Sequence, residues 1–396
     1  MTLSLAMIVK NEATYLPACL QSVQGLVDEI VIVDTGSTDE TMAIAQSYGA
    51  QVFSFAWCDD FAAARNDALR RVQGDWVLVL DADEVLLPAV VPLIQAAIAQ
   101  PNHLVVNLVR QELGTRQSPY TLVSRLFRRH PALTFCRPYH EGIDDSVAEL
   151  LQQQPDWQII QLAETAIQHH GYQAEVIQTR NKSVTAKRIM EGYLKQVPKD
   201  AYICSKLGAL YIDLGDRSAG LELLQRGLST GEQIDPGTCY ELNYHLGVAY
   251  EQQQEIQQAD HYYQQALQQA IAPHFKLGAM INWAALRQNH GDLLTAKAIY
   301  EEVLSFLPDS AIAHYNLGMT LKTLGHVSQA IEHYQQAIQL QPDYAEAHQN
   351  LGVVWLKVGN VPASVAAFQQ AIALHQAQDS PEADRLQQAL QEMGLL

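Results

Sequence analysis

The sequence is short of cysteine and of positive charge. Its five cysteines lie far apart among 396 residues, and none belongs to a Cys-x-x-Cys pair. Neither a disulfide framework nor a zinc site is therefore expected. Lysine and arginine number 25 against 43 aspartates and glutamates, which gives a net charge of −18. This balance argues against binding nucleic acid through phosphate contacts and against docking on an anionic membrane.

The sequence also has no apolar run that predicts a membrane-spanning helix, which needs about 18 or more such residues. The opening MTLSLAMIVKNE has no basic segment and reaches Lys10 and Glu12 early. It therefore predicts a first strand and no signal peptide, and we expect a cytoplasmic protein. No Gly-x-Gly-x-x-Gly follows an early strand, which excludes a dinucleotide-dependent oxidoreductase.

The first 110 residues alternate between aliphatic runs, which predict strands, and amphipathic runs, which predict helices. This alternation is typical of an α/β, Rossmann-like domain with a mostly parallel sheet covered on both faces. The predicted strands are 3–9, 29–34, 51–55, 75–80 and 103–109, and the predicted helices are 13–24, 39–48, 60–72 and 88–99.

From about residue 200 the sequence repeats with a period of 34, which separates Gly318 from Gly352. Small and aromatic residues at fixed places around each glycine are typical of tetratricopeptide repeats. The pattern predicts about five helix pairs in an all-α solenoid and a last helix near 381–393. We expect three parts, with the α/β domain in 1–173, a helical connector in 174–199 and the repeats in 200–396.

The sequence DADE at 81–84 directly follows the strand-forming run VLVL. Carboxylates this close raise one another's pKa, so a partner cation is expected. Asp81 and Asp83 form an Asp-x-Asp motif, which alone is a weak signal because a solvated turn has the same composition. Asp34 and Lys10 also follow strands. The carboxyl ends of parallel strands meet at one edge of the sheet, where ligands bind.

Three more segments accompany this motif: MIVKNE at 7–12, VDTGSTDE at 33–40, and DDFAAARND at 59–67, which places Arg65 on a helix. Taken singly, each is also compatible with a turn, an N-cap or exposed helix polarity. In this order the four segments resemble the family 2 glycosyltransferases of the GT-A fold, over about residues 3–172. The most similar branch is fused to tetratricopeptide repeats and lies near the sublancin-type peptide S-glycosyltransferases.

The resemblance implies a nucleotide-diphosphate sugar as donor, most simply a UDP-sugar, together with Mn²⁺ or Mg²⁺. Asp83 would bind the ion, which stabilises negative charge on the departing diphosphate. His169, in IQHHGY, is compatible with metal binding and with a structural role. Many family members have two aspartates where this chain has Asp34-Thr35. The residues implied at the nucleotide are Val9, Lys10, Asn11, Asp34, Arg65 and Asp81.

Residues 124–146 resemble the acceptor-side segment of the family, which closes in a His-Glu pair. Glu141 is then the expected base that takes the acceptor's proton in an inverting transfer, with Asp144 as the second candidate. An ordinary surface role for Glu141 is the alternative. Six arginines and one acid lie between residues 110 and 137. Such a patch suits a diphosphate, an anionic acceptor, or ion pairing with acidic surface nearby.

These observations predict an inverting, metal-dependent glycosyltransferase whose acceptor is a peptide or protein side chain bound with help from the repeats. A saccharide or lipid-linked acceptor is one alternative, with the repeats then serving a homodimer. A non-catalytic repeat scaffold for protein interaction is another. The sequence has no Gln-x-x-Arg-Trp after the Asp-x-Asp motif, which argues against a processive polysaccharide synthase. A glycoside hydrolase also uses two carboxylates but needs no nucleotide motifs.

Overall fold

The computed structural model describes residues 1–113, 119–170, 176–230 and 234–395, and the side chains of 176–181 lie outside this description. The described chain forms two compact units, Met1–Ile234 and Asp235–Leu396. The predicted fold class, an α/β domain followed by an all-α repeat region, is confirmed.

The strands of the first unit belong to one mixed sheet. In the described residues they are β1 (Leu3–Val9), β2 (Glu29–Asp34), β3 (Gln51–Ser54), β4 (Trp76–Val79), β5 (Glu84–Leu86), β6 (His103–Glu112), β7 (Tyr120–Arg128) and β8 (Gln158–His169). Their order is β3-β2-β1-β4-β7-β6-β8-β5. The first four strands in this order are parallel, so the segments that follow β1, β2 and β4 meet at one edge.

Helices cover both faces of this sheet, as the sequence predicts. They are α1 (Leu16–Ser22), α2 (Thr41–Ser47), α3 (Phe61–Arg71), α4 (Val91–Ile98) and α5 (Asp144–Gln153). Leu20 and Ile94 belong to the core on one face, and Ala68 and Val147 to the core on the other. The predicted helix 13–24 is shorter at both ends and has a proline in its first turn. Asp60 caps α3, accepting a hydrogen bond from the backbone of Ala63 at 2.9 Å, which stabilises a helix start by about 1 kcal/mol.

Two strands of the middle region, β7 and β8, complete the sheet, and α5 packs against it. All three elements lie where the sequence gives no clear periodicity. β8 pairs in parallel with β6 and antiparallel with β5. This pairing places His169 opposite both Glu84 and Glu112, and so brings the end of the domain beside the Asp-x-Asp turn.

Three helices complete the first unit: α6 (Val176–Gln196), α7 (Ala201–Asp213) and α8 (Arg217–Leu228). Met190, Leu194, Ile203 and Leu207 form a buried apolar cluster between α6 and α7, and Tyr139 of the α/β domain packs against it. The helix pair α7–α8 is therefore joined to the α/β domain through α6.

The second unit consists of further helix pairs. In its described residues they are α9 (Pro236–Gln252) with α10 (Ile256–Leu267), α11 (Leu277–Asn289) with α12 (Leu293–Phe306), α13 (Ala311–Leu324) with α14 (Val327–Leu340), and α15 (Ala345–Lys357) with α16 (Val361–Ala377), followed by α17 (Glu382–Glu392). Glycines permit close packing within a pair, because a Cβ on Gly247 would lie 2.6 Å from the ring of Tyr263. The last helix, α17, lies within the range 381–393 that the sequence predicts for it.

Across the described parts of the chain, none of the helices has both the length and the apolar character that crossing a membrane requires.

Candidate active site

The turn between β4 and β5 is held by its own third carboxylate. Glu84 has no exposed surface, and its Oε2 accepts the backbone N–H of Asp81 at 2.8 Å. The backbone N–H of Glu84 in turn donates to the carbonyl oxygen of Asp81 at 3.0 Å. Asp81 and Asp83, with side chains 32% and 22% exposed, are left to make contacts outside the turn.

Asp81 lies between two arginines. Nη2 of Arg65 donates to its Oδ1 at 2.6 Å, and Nη2 of Arg125 donates to its Oδ2 at 3.0 Å. Burial opposes the charge on Asp81, but the guanidiniums of Arg125 and Arg65 outweigh burial and hold the pKa of the carboxyl well below its usual range. The sequence predicts a cation beside this cluster. At Asp81, Arg65 and Arg125 supply that positive charge.

Arg65 also contacts the predicted base. Its Nε donates to Oε1 of Glu141 at 2.5 Å, and both side chains are nearly buried, at 5% and 11% exposure. The loop that delivers Glu141 begins and ends at a bridge between Cys136 and Gly142. The second base candidate, Asp144, is exposed, and its Oδ1 accepts a hydrogen bond from Ser124 at 2.7 Å.

His169 lies between two carboxylates. Its Nε2 is 3.2 Å from Oδ2 of Asp83, and its Nδ1 is 2.5 Å from Oε2 of Glu112. Burial opposes protonation, but the hydrogen bonds to Asp83 and Glu112 outweigh it and raise the pKa of His169 to about 10. The ring is therefore an imidazolium near neutral pH when only the protein surrounds it. The next residue, His170, donates its backbone N–H to the carbonyl oxygen of Asp83 at 2.9 Å.

Two of the residues implied at the nucleotide join the loops after β1 and β2. Oδ1 of Asn11 accepts the backbone N–H of Thr38 at 2.8 Å, and its own N–H donates to Oγ of Ser37 at 2.9 Å. The carboxylate of Asp34 is 3% exposed and accepts the backbone N–H groups of Gly36 and Ser37 at 3.0 Å. Both side chains therefore shape this edge of the sheet, and their contact with a nucleotide stays a prediction.

The neighbouring Val9 ends β1 at the same edge, and Lys10 directly follows it. Val9 is buried and pairs with Asp34 across the two strands. Lys10 is exposed. The structure thus places the residues implied at the nucleotide at the last positions of β1 and β2, on the loops after β1 and β4, or on the neighbouring α3.

Sequence reasoning missed Glu12. Burial, and next the negative charge of Asp83, raise the pKa of Glu12 to about 7. A carboxyl with a pKa near neutrality beside an acidic pair is a candidate proton acceptor. The signal was the third polar residue of Lys-Asn-Glu, which follows β1 toward the same edge as the Asp-x-Asp turn.

Sequence models of known families match both halves of the chain. The model of glycosyl transferase family 2 matches residues 4–160. A TPR repeat model matches residues 321–359, and a tetratricopeptide repeat model matches residues 240–270. The two halves distinguished by their sequence patterns are therefore similar to two different families.

Relatives match this chain over different lengths. A TPR repeat-containing protein of Synechococcus elongatus is 42% identical over 290 residues, which are 73% of this chain and 72% of that protein. An uncharacterized glycosyltransferase of Rickettsia bellii is 30% identical over 154 residues, 37% of this chain and 52% of its own. The SPbeta prophage-derived glycosyltransferase SunS of Bacillus subtilis is 31% identical over 86 residues, 21% of this chain and 20% of its own.

Solved structures resemble parts of the chain more distantly. MamA from Desulfovibrio magneticus RS-1 is 23% identical, with a TM-score of 0.40, and the match covers 46% of this chain and 98% of that one. YrrB, described as a TPR protein with an unusual peptide-binding site, is 14% identical with a TM-score of 0.40, covering 47% and 92%. These scores are low, and the repeats are identified by the sequence models and the helix pairs.

Proposed function

Because this chain belongs to the family 2 glycosyltransferases fused to tetratricopeptide repeats, we propose that it is an inverting, metal-dependent transferase with a UDP-sugar as donor. Glycosyl transfer from a nucleotide-sugar is the activity of this family. One observation carries the more specific proposal: Asp81 is paired with two arginines, and Asp83, two positions later in the same turn, faces His169.

Asp83 and His169 are the residues that would hold Mn²⁺ or Mg²⁺. A carboxylate oxygen and an imidazole nitrogen 3.2 Å apart, with the second ring nitrogen anchored by Glu112, fit the usual environment of a metal-binding histidine. Within the described residues, no group of three or more such side chains could hold an ion. The ion would take its other ligands from diphosphate and water. When bound, the metal neutralises charge on the leaving diphosphate.

Arg65 and Arg125 would bind and orient the donor. A guanidinium is a natural partner for phosphate oxygens, and the Nη1 group of each arginine is buried with no hydrogen-bond partner among the described residues. A buried donor without a partner costs about 1–3 kcal/mol, so an anionic group that reaches these N–H groups would be bound favourably. Asp81, fixed between the two arginines, would face the ribose. Val9, Lys10, Asn11 and Asp34 would line the nucleoside pocket.

Glu141 is the proposed base, with Asp144 second. Arg65 contacts both Asp81 and Glu141. One side chain therefore lies between Asp81, which is proposed at the nucleotide-sugar, and the proposed base. An inverting transfer needs this proximity, because the acceptor loses its proton while it attacks the anomeric carbon from the side opposite the leaving group. Arg65 also holds the Glu141 carboxylate in place before the acceptor arrives.

We infer that the acceptor is a peptide or protein side chain. Stacked helix pairs form extended concave surfaces that suit a polypeptide.

The five cysteines are free thiols, which supports a reducing, cytoplasmic location.

The test is a screen of nucleotide-sugars for Mn²⁺-dependent hydrolysis in the absence of acceptor, combined with thermal melting in UDP and Mn²⁺. We expect hydrolysis of one UDP-sugar and a raised melting temperature, because a ligand that binds the folded state stabilises it. Asp83→Ala should lose both responses. Asp156→Ala, in the exposed turn before β8, should keep them. If millimolar nucleotide produces no hydrolysis and no shift of the melting temperature, the proposal is overturned.

A further inference from the structure

Arg110, at the end of β6, joins two buried carboxylates from different strands. Its Nη1 donates to Oε1 of Glu84 at 2.8 Å. Its Nε donates to Oε1 of Glu112 at 2.8 Å, and its Nη2 lies 2.6 Å from the same oxygen. The two carboxylates are 0% and 8% exposed. The guanidinium therefore balances charge that the interior would otherwise hold unpaired.

Each of these carboxylates also touches one half of the proposed metal-binding pair. Glu112 holds Nδ1 of His169, whose Nε2 faces Asp83. Glu84 accepts the backbone N–H of Asp81 and so fixes the turn from which Asp83 projects. The contacts therefore form a closed series. It runs from Asp83 through His169 and Glu112 to Arg110, and from Arg110 through Glu84 back to the turn that carries Asp83.

We propose that Glu84, Arg110 and Glu112 are positioning residues. Together they hold Nε2 of His169 and the carboxylate of Asp83 facing each other, in the orientation that a shared divalent ion requires. Without Glu112 the imidazole keeps one of its two carboxylate partners and gains rotational freedom about its Cβ–Cγ bond, which binding an ion must then remove. This inference rests on the proposed function, because it assigns the metal to Asp83 and His169.

The backbone already aligns the strands that carry these side chains. His169 pairs with Glu84 across β5 and β8, and with Glu112 across β6 and β8. The main-chain ladders between these strands act alongside the contacts of the three side chains. The specific contribution of the side chains is the orientation of the imidazole and of the turn. A purely structural network would affect the free energy of unfolding, whereas a positioning network affects metal affinity.

The experiment measures Mn²⁺ binding to the full chain by electron paramagnetic resonance, in the presence of saturating UDP and without any sugar donor. The variants are Glu112→Gln and Arg110→Lys, which keep size or charge but cannot maintain both contacts. Loss of a group that orients a metal-binding histidine typically weakens metal affinity about 10–100-fold, and we expect a loss in this range. Gln111→Ala is the matched control, because Gln111 lies on the same strand and contacts Gln168 instead.

A second measurement needs no metal. In ¹⁵N-detected NMR of the metal-free protein, the strongly hydrogen-bonded Nδ1–H of His169 should be present in the wild type and in Gln111→Ala, and absent in Glu112→Gln. If Arg110→Lys does not fold, Glu112→Gln decides alone.

Wild-type Mn²⁺ affinity in Glu112→Gln would overturn the positioning role and leave the proposed function intact. Absence of Mn²⁺ binding in the wild type with UDP would overturn both.

Discussion

Nη2 of Arg65 and Oδ1 of Asp81 lie 2.6 Å apart, and they join a helix to the strand end that follows it in the chain. The same guanidinium reaches Glu141, 76 residues away in sequence. One arginine is therefore ion-paired with two carboxylates, one proposed at the sugar donor and one proposed as the base. Its removal should affect folding as well as chemistry.

Arg65→Met should lower the free energy of unfolding of the first unit by about 3–5 kcal/mol, because it leaves a nearly buried Glu141 without its ion-pair partner. Urea denaturation would measure this. Arg70 lies on the same helix, and its side chain is 68% exposed. Arg70→Met should therefore change the free energy of unfolding by no more than about 0.5 kcal/mol. Equal effects of the two substitutions would contradict a stabilising role for the Arg65 ion pairs.

Glu141→Gln should reduce sugar transfer by about 10²–10⁴-fold while UDP affinity stays within a factor of two or so, because a general base contributes only to the chemical step. Transfer rate and UDP binding are measured separately. Asp144→Asn and Glu12→Gln are the comparison variants. A large loss in one of them, with Glu141→Gln active, would move the base role to that residue.

Glu12 should make stability depend on pH. Its pKa is raised from 4.5 to about 7 in the folded protein, so the folded state binds the proton more tightly than the unfolded chain. The resulting stabilisation is complete below pH 4.5 and is lost as the pH rises through about 7. Glu12→Gln, which stays neutral, should therefore exceed the wild type in stability by about 1–2 kcal/mol at pH 8.5, allowing for partial exposure.

The measurement is the difference in the free energy of unfolding between the two proteins from pH 6 to 8.5. The difference should grow with pH. A constant difference over this range would show that the Glu12 carboxyl titrates outside it.

Two glycines should respond to alanine with opposite signs. A Cβ on Gly247 would lie 2.6 Å from the ring of Tyr263, which has no exposed surface. Overpacking of this kind costs about 1–3 kcal/mol, so Gly247→Ala should destabilise the second unit. Gly192 lies on α6, and there is open space where an added Cβ would lie. Gly192→Ala should stabilise that helix by about 0.5–1 kcal/mol. Urea unfolding curves of the two variants would test both signs.

The sequence predicts the parallel half of the sheet and the repeats because their signals are local. β1, β2 and β4 are short aliphatic runs, and their ends carry Lys10, Asp34 and Asp81 as predicted. The helix pairs that begin at 277, 311 and 345 recur every 34 residues. A glycine meets an aromatic ring within three of the described pairs, Gly247 with Tyr263, Gly318 with Tyr334 and Gly352 with Phe368. Such patterns are visible within one window of sequence.

The network around His169 is not visible in this way. Its members come from β5, β6 and β8, and Glu112 is 57 residues from His169 in sequence. Local propensity gives no information on which carboxylate pairs with which base, since the choice depends on strand register. For the same reason the sequence predicted a cation beside Asp81 but not that two arginines would supply part of that charge.

The apolar cluster that joins α6 and α7 to Tyr139 has a practical consequence for protein engineering. A fragment that stops at residue 173 would lose Met190, Leu194 and Ile203, the buried partners of that ring. It would then expose an apolar surface beside the loop that carries Glu141, and we expect the fragment to aggregate. A catalytic fragment that remains monodisperse should extend to about residue 234, the end of the first unit.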